Sequence, residues 1–313
     1  MGDIEIIKPK DRSAWLKVRN SDVTASVVGA LFGEHEFTTI FELWALKTGR
    51  IPHLEGETAA MQRGRLLEPV AVQLMREQRP GWRIEHNSAE NVYYREPASR
   101  LGGTPDVMVS APDRGRGVVQ IKSVEASVFR RKWLDENGNV EPPLWIALQA
   151  TLEAHLTGSE WAAVAPLVVG HGLEMPMVEV PLVPGVIDAM RERSSEFWAL
   201  VASGDEPQPD FSRDAEIIER IYGMGDQFDE VDLTADNRIP ALIVERRECM
   251  AGRDGAQGRI NEIDAEIKAK MGSAHIAHIP GGQKITWKPQ KRAGFFVEPV
   301  TSRVLRYPQN QKE

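Results

Sequence analysis

Three polar residues stand close enough in this chain to act together. Asp106 is followed, after a spacer of thirteen residues, by Gln120 and Lys122. A carboxylate and an amide oxygen are hard ligands of the kind that Mg2+ or Mn2+ takes. An ammonium group beside them suits a site where negative charge develops on a phosphate. The same residue types also fit an ordinary surface hairpin with an aspartate at its turn. The elements that carry them must decide between the two.

Val107, Met108 and Val109 form one short apolar run, and Val118, Val119 and Ile121 form another. Between them lie Ser110, Pro112, Asp113, Gly115 and Gly117, which favour turns, so the pattern predicts a β-hairpin. Asp106 opens its first strand. Gln120 and Lys122 lie two apart on the second strand and share a face. Ser123, next along, either binds phosphate or simply ends the strand.

Upstream, residues 11–19 predict a short helix capped by Asp11 or Ser13. Thr24 and Ser26 then open a second helix, with Arg19 nearby. Hydroxyls and free backbone N–H groups at a helix start make a phosphate cradle, and plain helix capping uses the same residues. A third helix spans Thr38–Gly49 with Trp44 in the core; Lys47 and Arg50 face either DNA or solvent. A long amphipathic helix runs from Glu57 to Gln78 and is ended by Pro80-Gly81. Pro69 inside it disturbs the preceding turn, where Glu68 sits. Trp82–His86 and Asn91–Arg95 read as strands.

Downstream, residues 126–134 are helical. Leu144–Leu156 forms a helix stopped by Thr157-Gly158. It carries Gln149 inside an apolar run, which costs free energy unless the amide finds a partner. His155 is taken as structural or exposed. Trp161–Val169 is a buried strand and Met177–Leu182 an alternating one. Helices follow over 184–203 and 213–222. After about residue 226 the composition shifts, which predicts a domain over 1–225 and an appendage over 226–313. The appendage reads as a charged helix, Asn237–Met271, bent or interrupted at Gly252, Gly255 and Gly258. A hairpin around Pro280–Gly282 follows. Lys284, Trp287, Lys288, Lys291 and Arg292 make this hairpin either a DNA-facing tip or a small sheet capping the helical arm. The tail from Pro308 is expected to be disordered.

Composition sets outer limits. With 313 residues, 42% of them hydrophobic, the chain can bury a sizeable core. Its one cysteine, Cys249, excludes a disulfide framework and any four-cysteine metal cluster. The sequence opens without the basic-then-apolar pattern of a leader, and no apolar run approaches membrane length. The cytoplasm is therefore the default location, with no membrane partner. A net charge of −8 argues against a general DNA coat protein. It leaves room for an enzyme whose cations line a channel.

Several of these features together resemble the lambda-exonuclease or YqaJ-type viral recombinase family, within the PD-(D/E)xK nuclease superfamily. The opening Trp15, Arg19 and Thr24-Ala25-Ser26 matches that family's start, with Asn20 where a glycine is usual. The string Gly64-Arg-Leu-Leu-Glu68-Pro69 matches its helix. Pro105-Asp106 and Gln120-Ile121-Lys122 match the superfamily motif, with Gln120 where an acid is usual. Gln149, before Thr157-Gly158, matches the next helix. The matches keep the family's order and cover roughly residues 12–205.

The resemblance implies an α/β fold: a restriction-endonuclease-like core in which a central mixed β-sheet is flanked by helices. It implies a Mg2+-dependent deoxyribonuclease, with Mn2+ as a substitute ion. It further implies a 5′→3′ exonuclease on double-stranded DNA ends that makes single-stranded overhangs for phage-type recombination. On this reading Glu68, Asp106, Gln120 and the Ile121 carbonyl hold the metal. Lys122 orients the attacking water, and Gln149 places water or phosphate. Arg19, Thr24, Ser26 and Ser123 bind the 5′-phosphate. The implied partners are DNA ends, a phage single-strand annealing protein and further copies in a ring. Two rival readings use the same residues: an endonuclease or single-strand-specific nuclease on this scaffold, and a non-catalytic DNA-end-binding protein.

Overall fold

Apolar alternation sets the strand pairing. The computed structural model describes residues 3–52, 56–87, 91–223, 233–271, 274–278 and 284–289. It divides into two compact units, Met1–Tyr222 and Gly223–Glu313.

The first unit begins with β1 (Glu5–Ile7), α1 (Arg12–Asn20), β2 (Val23–Thr24), a 3-10 segment (Ala25–Phe32), α2 (Ile40–Lys47) and α3 (Ala59–Gln78). Next come β3 (Arg83–His86), β4 (Tyr93–Glu96), β5 (Leu101–Gly103), β6 (Val107–Ala111) and β7 (Gly115–Glu125). It ends with α4 (Ala126–Lys132), α5 (Leu144–Thr157), β8 (Trp161–Val169), β9 (Leu173–Glu174), β10 (Val178–Val180), α6 (Val186–Ser203) and α7 (Ala215–Tyr222).

The main sheet has the order β10-β8-β7-β6-β3, with β9 added on β8. β7 and β8 are parallel, and every other pair in this sheet is antiparallel. α4 and α5 form the crossover that a parallel pair requires. A second sheet runs β1-β4-β5-β2. The architecture is thus α/β, mixed sheets flanked by helices, as the sequence implied.

β7 alternates cleanly between the two faces of the sheet. Val119 and Ile121 pack with Ala71, Val72 and Met75 of α3. Val118 and Val124 pack with Ile146, Ala150 and Ala154 of α5. Gln120 and Lys122 share the parity of Val118 and so point towards α5. A third core buries Trp44 and Phe41 of α2 with Leu152 of α5 and Phe197 of α6.

The hairpin joining β6 to β7 is tight. Ala111 pairs with Gly115, which leaves Pro112, Asp113 and Arg114 as the loop. Gly115, the first residue after the loop, takes φ +72°, a left-handed conformation that glycine adopts without steric cost.

Several boundaries differ from the sequence expectation. Asp11 caps α1, accepting from the Ala14 N–H at 2.8 Å, but the cap of α2 is Thr39 rather than Thr38. Pro69 does not break α3, which runs through it. Thr24 and Ser26 open a 3-10 segment after a two-residue strand rather than an α-helix. β1, β2, β5 and β9 are too short to carry a period.

In the second unit, α8 (Arg238–Met271) is continuous, and Gly252, Gly255 and Gly258 do not interrupt it. β11 (Ile276–His278) pairs antiparallel with β12 (Lys284–Thr286). The turn at Pro280–Gly282, Lys291, Arg292 and the tail from Pro308 lie outside the described residues.

Candidate active site

A cavity of about 610 Å3 opens where the β6–β7 hairpin, α1, α3 and α5 meet. Arg19, Ser26, Glu68, Asp106, Gln120, Lys122 and Gln149 all line it. Residues spread over some 130 positions of chain therefore share one hollow.

Asp106 stands at the mouth of β6, opposite Gln120. Its Oδ2 accepts from the Ile121 backbone N–H at 2.9 Å and from Gln120 Nε2. Loss of solvent, and next the charge of Glu68, raise the Asp106 carboxyl above its ordinary range. Gln120 is 2% exposed and Gln149 4% exposed, so their amides must find partners inside the protein. Gln149 Nε2 donates to Gln120 Oε1 at 2.8 Å, and Gln149 Oε1 accepts from Lys122 Nζ at 2.9 Å. Burial lowers the Lys122 ammonium from its ordinary range.

Gln120, expected among the metal ligands, sits at the site with its amide turned the other way. The Gln120 oxygen is not turned towards Asp106 as a ligand would be. Its nitrogen faces the carboxylate and the Ile121 carbonyl, at 3.2 Å from the latter. An amide beside a carboxylate presents its donor end.

The other expected residues divide into two groups. The Arg19 guanidinium donates to Ser26 Oγ at 3.1 Å and lies 4.3 Å from the centre of the Trp15 ring. Among the described residues no carboxylate lies within ion-pair distance of Arg19. Thr24 is buried and shares a 3.0 Å hydrogen bond with Ser26 Oγ, so it supports the cradle from behind. Ser123 does not line the cavity, because the strand turns it away from Lys122.

Three contributors escaped the sequence reading. His86 Nε2 lies 2.6 Å from Glu68 Oε1. Lys47, expected to face DNA or solvent, donates to the Arg19 and Asn20 carbonyls at 3.1 and 3.2 Å and holds the end of α1. Glu153 sits 1% exposed beside Gln149. Only Glu153 left a trace in the sequence: an acid inside an apolar run, one helical turn after Gln149.

The oxygen donors of the cavity bear on whether it can hold a divalent cation. Among the described residues no three His, Cys, Asp or Glu side chains converge on one point. Glu68 and Asp106 do line the same cavity, and their mutual repulsion is the condition a cation relieves. Two carboxylates suit an ion that keeps several of its own waters, as Mg2+ does.

Residues 14–160 match the model of the YqaJ-like viral recombinase domain. The YqaJ protein of Bacillus subtilis (strain 168) is 26% identical over 283 residues, spanning 89% of this chain and 83% of that one. Among solved structures, an alkaline exonuclease (LHK-Exo) from Laribacter hongkongensis aligns with a TM-score of 0.44 at 19% identity, covering 61% of this chain and 93% of that one. A phage-related exonuclease from Haemophilus somnus 129PT aligns with a TM-score of 0.44 at 15% identity, covering 58% and 96%. The family resemblance read from Trp15 to Gln149 is borne out by the sequence match. No helix among the described residues is long and apolar enough to cross a membrane.

Proposed function

We propose, on the premise that residues 14–160 match the model of the YqaJ-like viral recombinase domain, that this chain is a metal-dependent DNA exonuclease. It acts 5′→3′ on double-stranded ends and leaves single-stranded overhangs for phage-type recombination. The observation that carries this reading is the shared cavity. Glu68, Asp106, Gln120, Lys122 and Gln149 line it together with Arg19, whose guanidinium donates to Ser26.

Glu68 and Asp106 would hold Mg2+ or Mn2+, with the Ile121 carbonyl as a further oxygen and Gln120 joining only if its amide turns. Such an ion, when bound, polarises the scissile phosphate and lowers the pKa of a bound water. The protein's own groups do the rest. Lys122 orients the attacking water and offsets charge gathering on the phosphate. Gln149 aims Lys122. Arg19 and Ser26 take the terminal 5′-phosphate, an anion that supplies the charge Arg19 lacks. A ring of copies around DNA would keep an acidic protein on its substrate, and a phage annealing protein would take the exposed strand. Both belong to this proposal, as does a cytoplasmic location.

One observation favours the second reading, a non-catalytic end-binding protein: the Gln120 nitrogen faces Asp106 where an acid would face a cation. The test is nucleotide release from end-labelled linear duplex in Mg2+, with 5′-phosphate and 5′-hydroxyl ends side by side. Wild type is compared with Lys122→Ala, and circular DNA serves as the endonuclease control. Release by wild type alone, from linear DNA alone, supports the exonuclease. Equal silence of both proteins supports the binding protein.

A further inference from the structure

Glu153 lies one turn along α5 from Gln149 and is 1% exposed. Nothing in the chemistry above uses it. Yet its Oε1 accepts a hydrogen bond from Gln149 Nε2 at 2.9 Å. Its Oε2 is buried and has no hydrogen-bond partner among the described residues. Loss of solvent, and next the charge of Asp106, hold this carboxyl above its ordinary range. A protonated carboxyl is the form that leaves no buried charge around a partnerless oxygen.

Consider what the Gln149 amide must satisfy. Its two N–H groups go to Gln120 Oε1 and Glu153 Oε1, and its oxygen takes the Lys122 ammonium. A primary amide turned end for end occupies almost the same space. The turned amide would set its NH2 against the Lys122 ammonium and its oxygen against two acceptors. Lys122 and Gln120 belong to the reacting site, where a substrate phosphate or a cation disturbs them. Glu153 lies behind Gln149, away from the cavity lining, and stays put.

We infer that Glu153 is a positioning residue: it locks the Gln149 amide with its oxygen towards Lys122 and so aims the Lys122 ammonium into the cavity. The inference rests on the exonuclease reading for its effect on rate. Its structural half stands alone.

The test compares wild type, Glu153→Gln and Glu153→Leu, all as full-length chain. Two readouts are taken: single-turnover nucleotide release from 5′-phosphorylated duplex in Mg2+, and the NMR signals of the Gln149 side-chain NH2, assigned with Gln149→Leu. Glu153→Gln should stay within about threefold of wild type, since its amide oxygen offers the same acceptor. Glu153→Leu should lower the rate on the order of 10²-fold at unchanged KM for ends, the scale of a misplaced reacting group. It should also shift the Gln149 NH2 signals. A rate loss shared by both variants, a loss confined to KM, or unmoved Gln149 signals in Glu153→Leu would each overturn the inference. Should Glu153→Leu not fold, Glu153→Met is read in the same way. If wild type releases no nucleotide, the exonuclease reading fails, and the Gln149 signals alone decide the positioning role.

Discussion

Lys122 Nζ donates to Gln149 Oε1 at 2.9 Å, a strand-to-helix contact between β7 and α5, two of the elements that wall the cavity. The bond fixes an ammonium that burial alone would make costly. Lys122→Ala should lower nucleotide release by about 10²–10³-fold, the usual effect of losing one charge-stabilising donor. Binding of duplex ends, followed by fluorescence anisotropy, should change little. Lys122→Arg should not restore the rate, because a planar guanidinium does not fit the place of a compact ammonium.

Arg19 makes no ion pair with a carboxylate among the described residues and faces the cavity beside Ser26. Removing it by Arg19→Ala should reduce the preference for 5′-phosphate over 5′-hydroxyl ends by about tenfold or more. That corresponds to one charged hydrogen bond of roughly 1.5–3 kcal/mol. Rates on the two end types, measured in parallel, give the ratio. A preference that survives the substitution would place the phosphate elsewhere.

Gln120→Glu replaces an amide that donates to Asp106 with a carboxylate that cannot. If the residue stands beside the cation, the Mg2+ concentration for half-maximal release should fall on the order of tenfold, since carboxylate count tunes such sites. A Mg2+ titration of both proteins measures this. An unmoved midpoint and rate would remove Gln120 from the ligand set.

Acid stability should report a second cluster, whose residues do not line the cavity. Glu96 is 2% exposed, and Arg191 donates to it at 2.7 and 3.0 Å. That hydrogen bonding holds the Glu96 carboxyl down at about 2, below the ordinary 4.5. A carboxyl lowered in the folded state adds stability that is fully present above pH 4.5 and is lost as pH falls through 2. Arg191→Leu should therefore cost about 3 kcal/mol near pH 7. Urea denaturation across pH 7 to 3 should show the gap between variant and wild type narrowing only below about pH 4.5.

The parts of this protein that sequence made visible are those with a period or a punctuation mark. The β6–β7 hairpin, the α5 stop at Gly158 and the buried run of β8 each carry one. So do Glu68, Asp106, Lys122 and Gln149, whose types and order were enough to place them together. What stayed hidden was set in three dimensions. Neither the contact of His86 with Glu68 nor that of Lys47 with the end of α1 follows from any local pattern. The turn of the Gln120 amide depends on Gln149, twenty-nine positions away. Ser123 was set among the phosphate ligands by adjacency to Lys122, yet a strand sends neighbours to opposite sides.

The loop Pro112–Arg114 acts as a ruler for the cavity above it. Its three residues and the left-handed Gly115 set which residue of β7 stands across from Asp106. One inserted residue would slide β7 by one step and exchange its inward and outward sides, delivering Ile121 or Val119 where the amide now sits. Substitutions within Pro112–Arg114 should therefore be tolerated far more readily than a change in the loop's length.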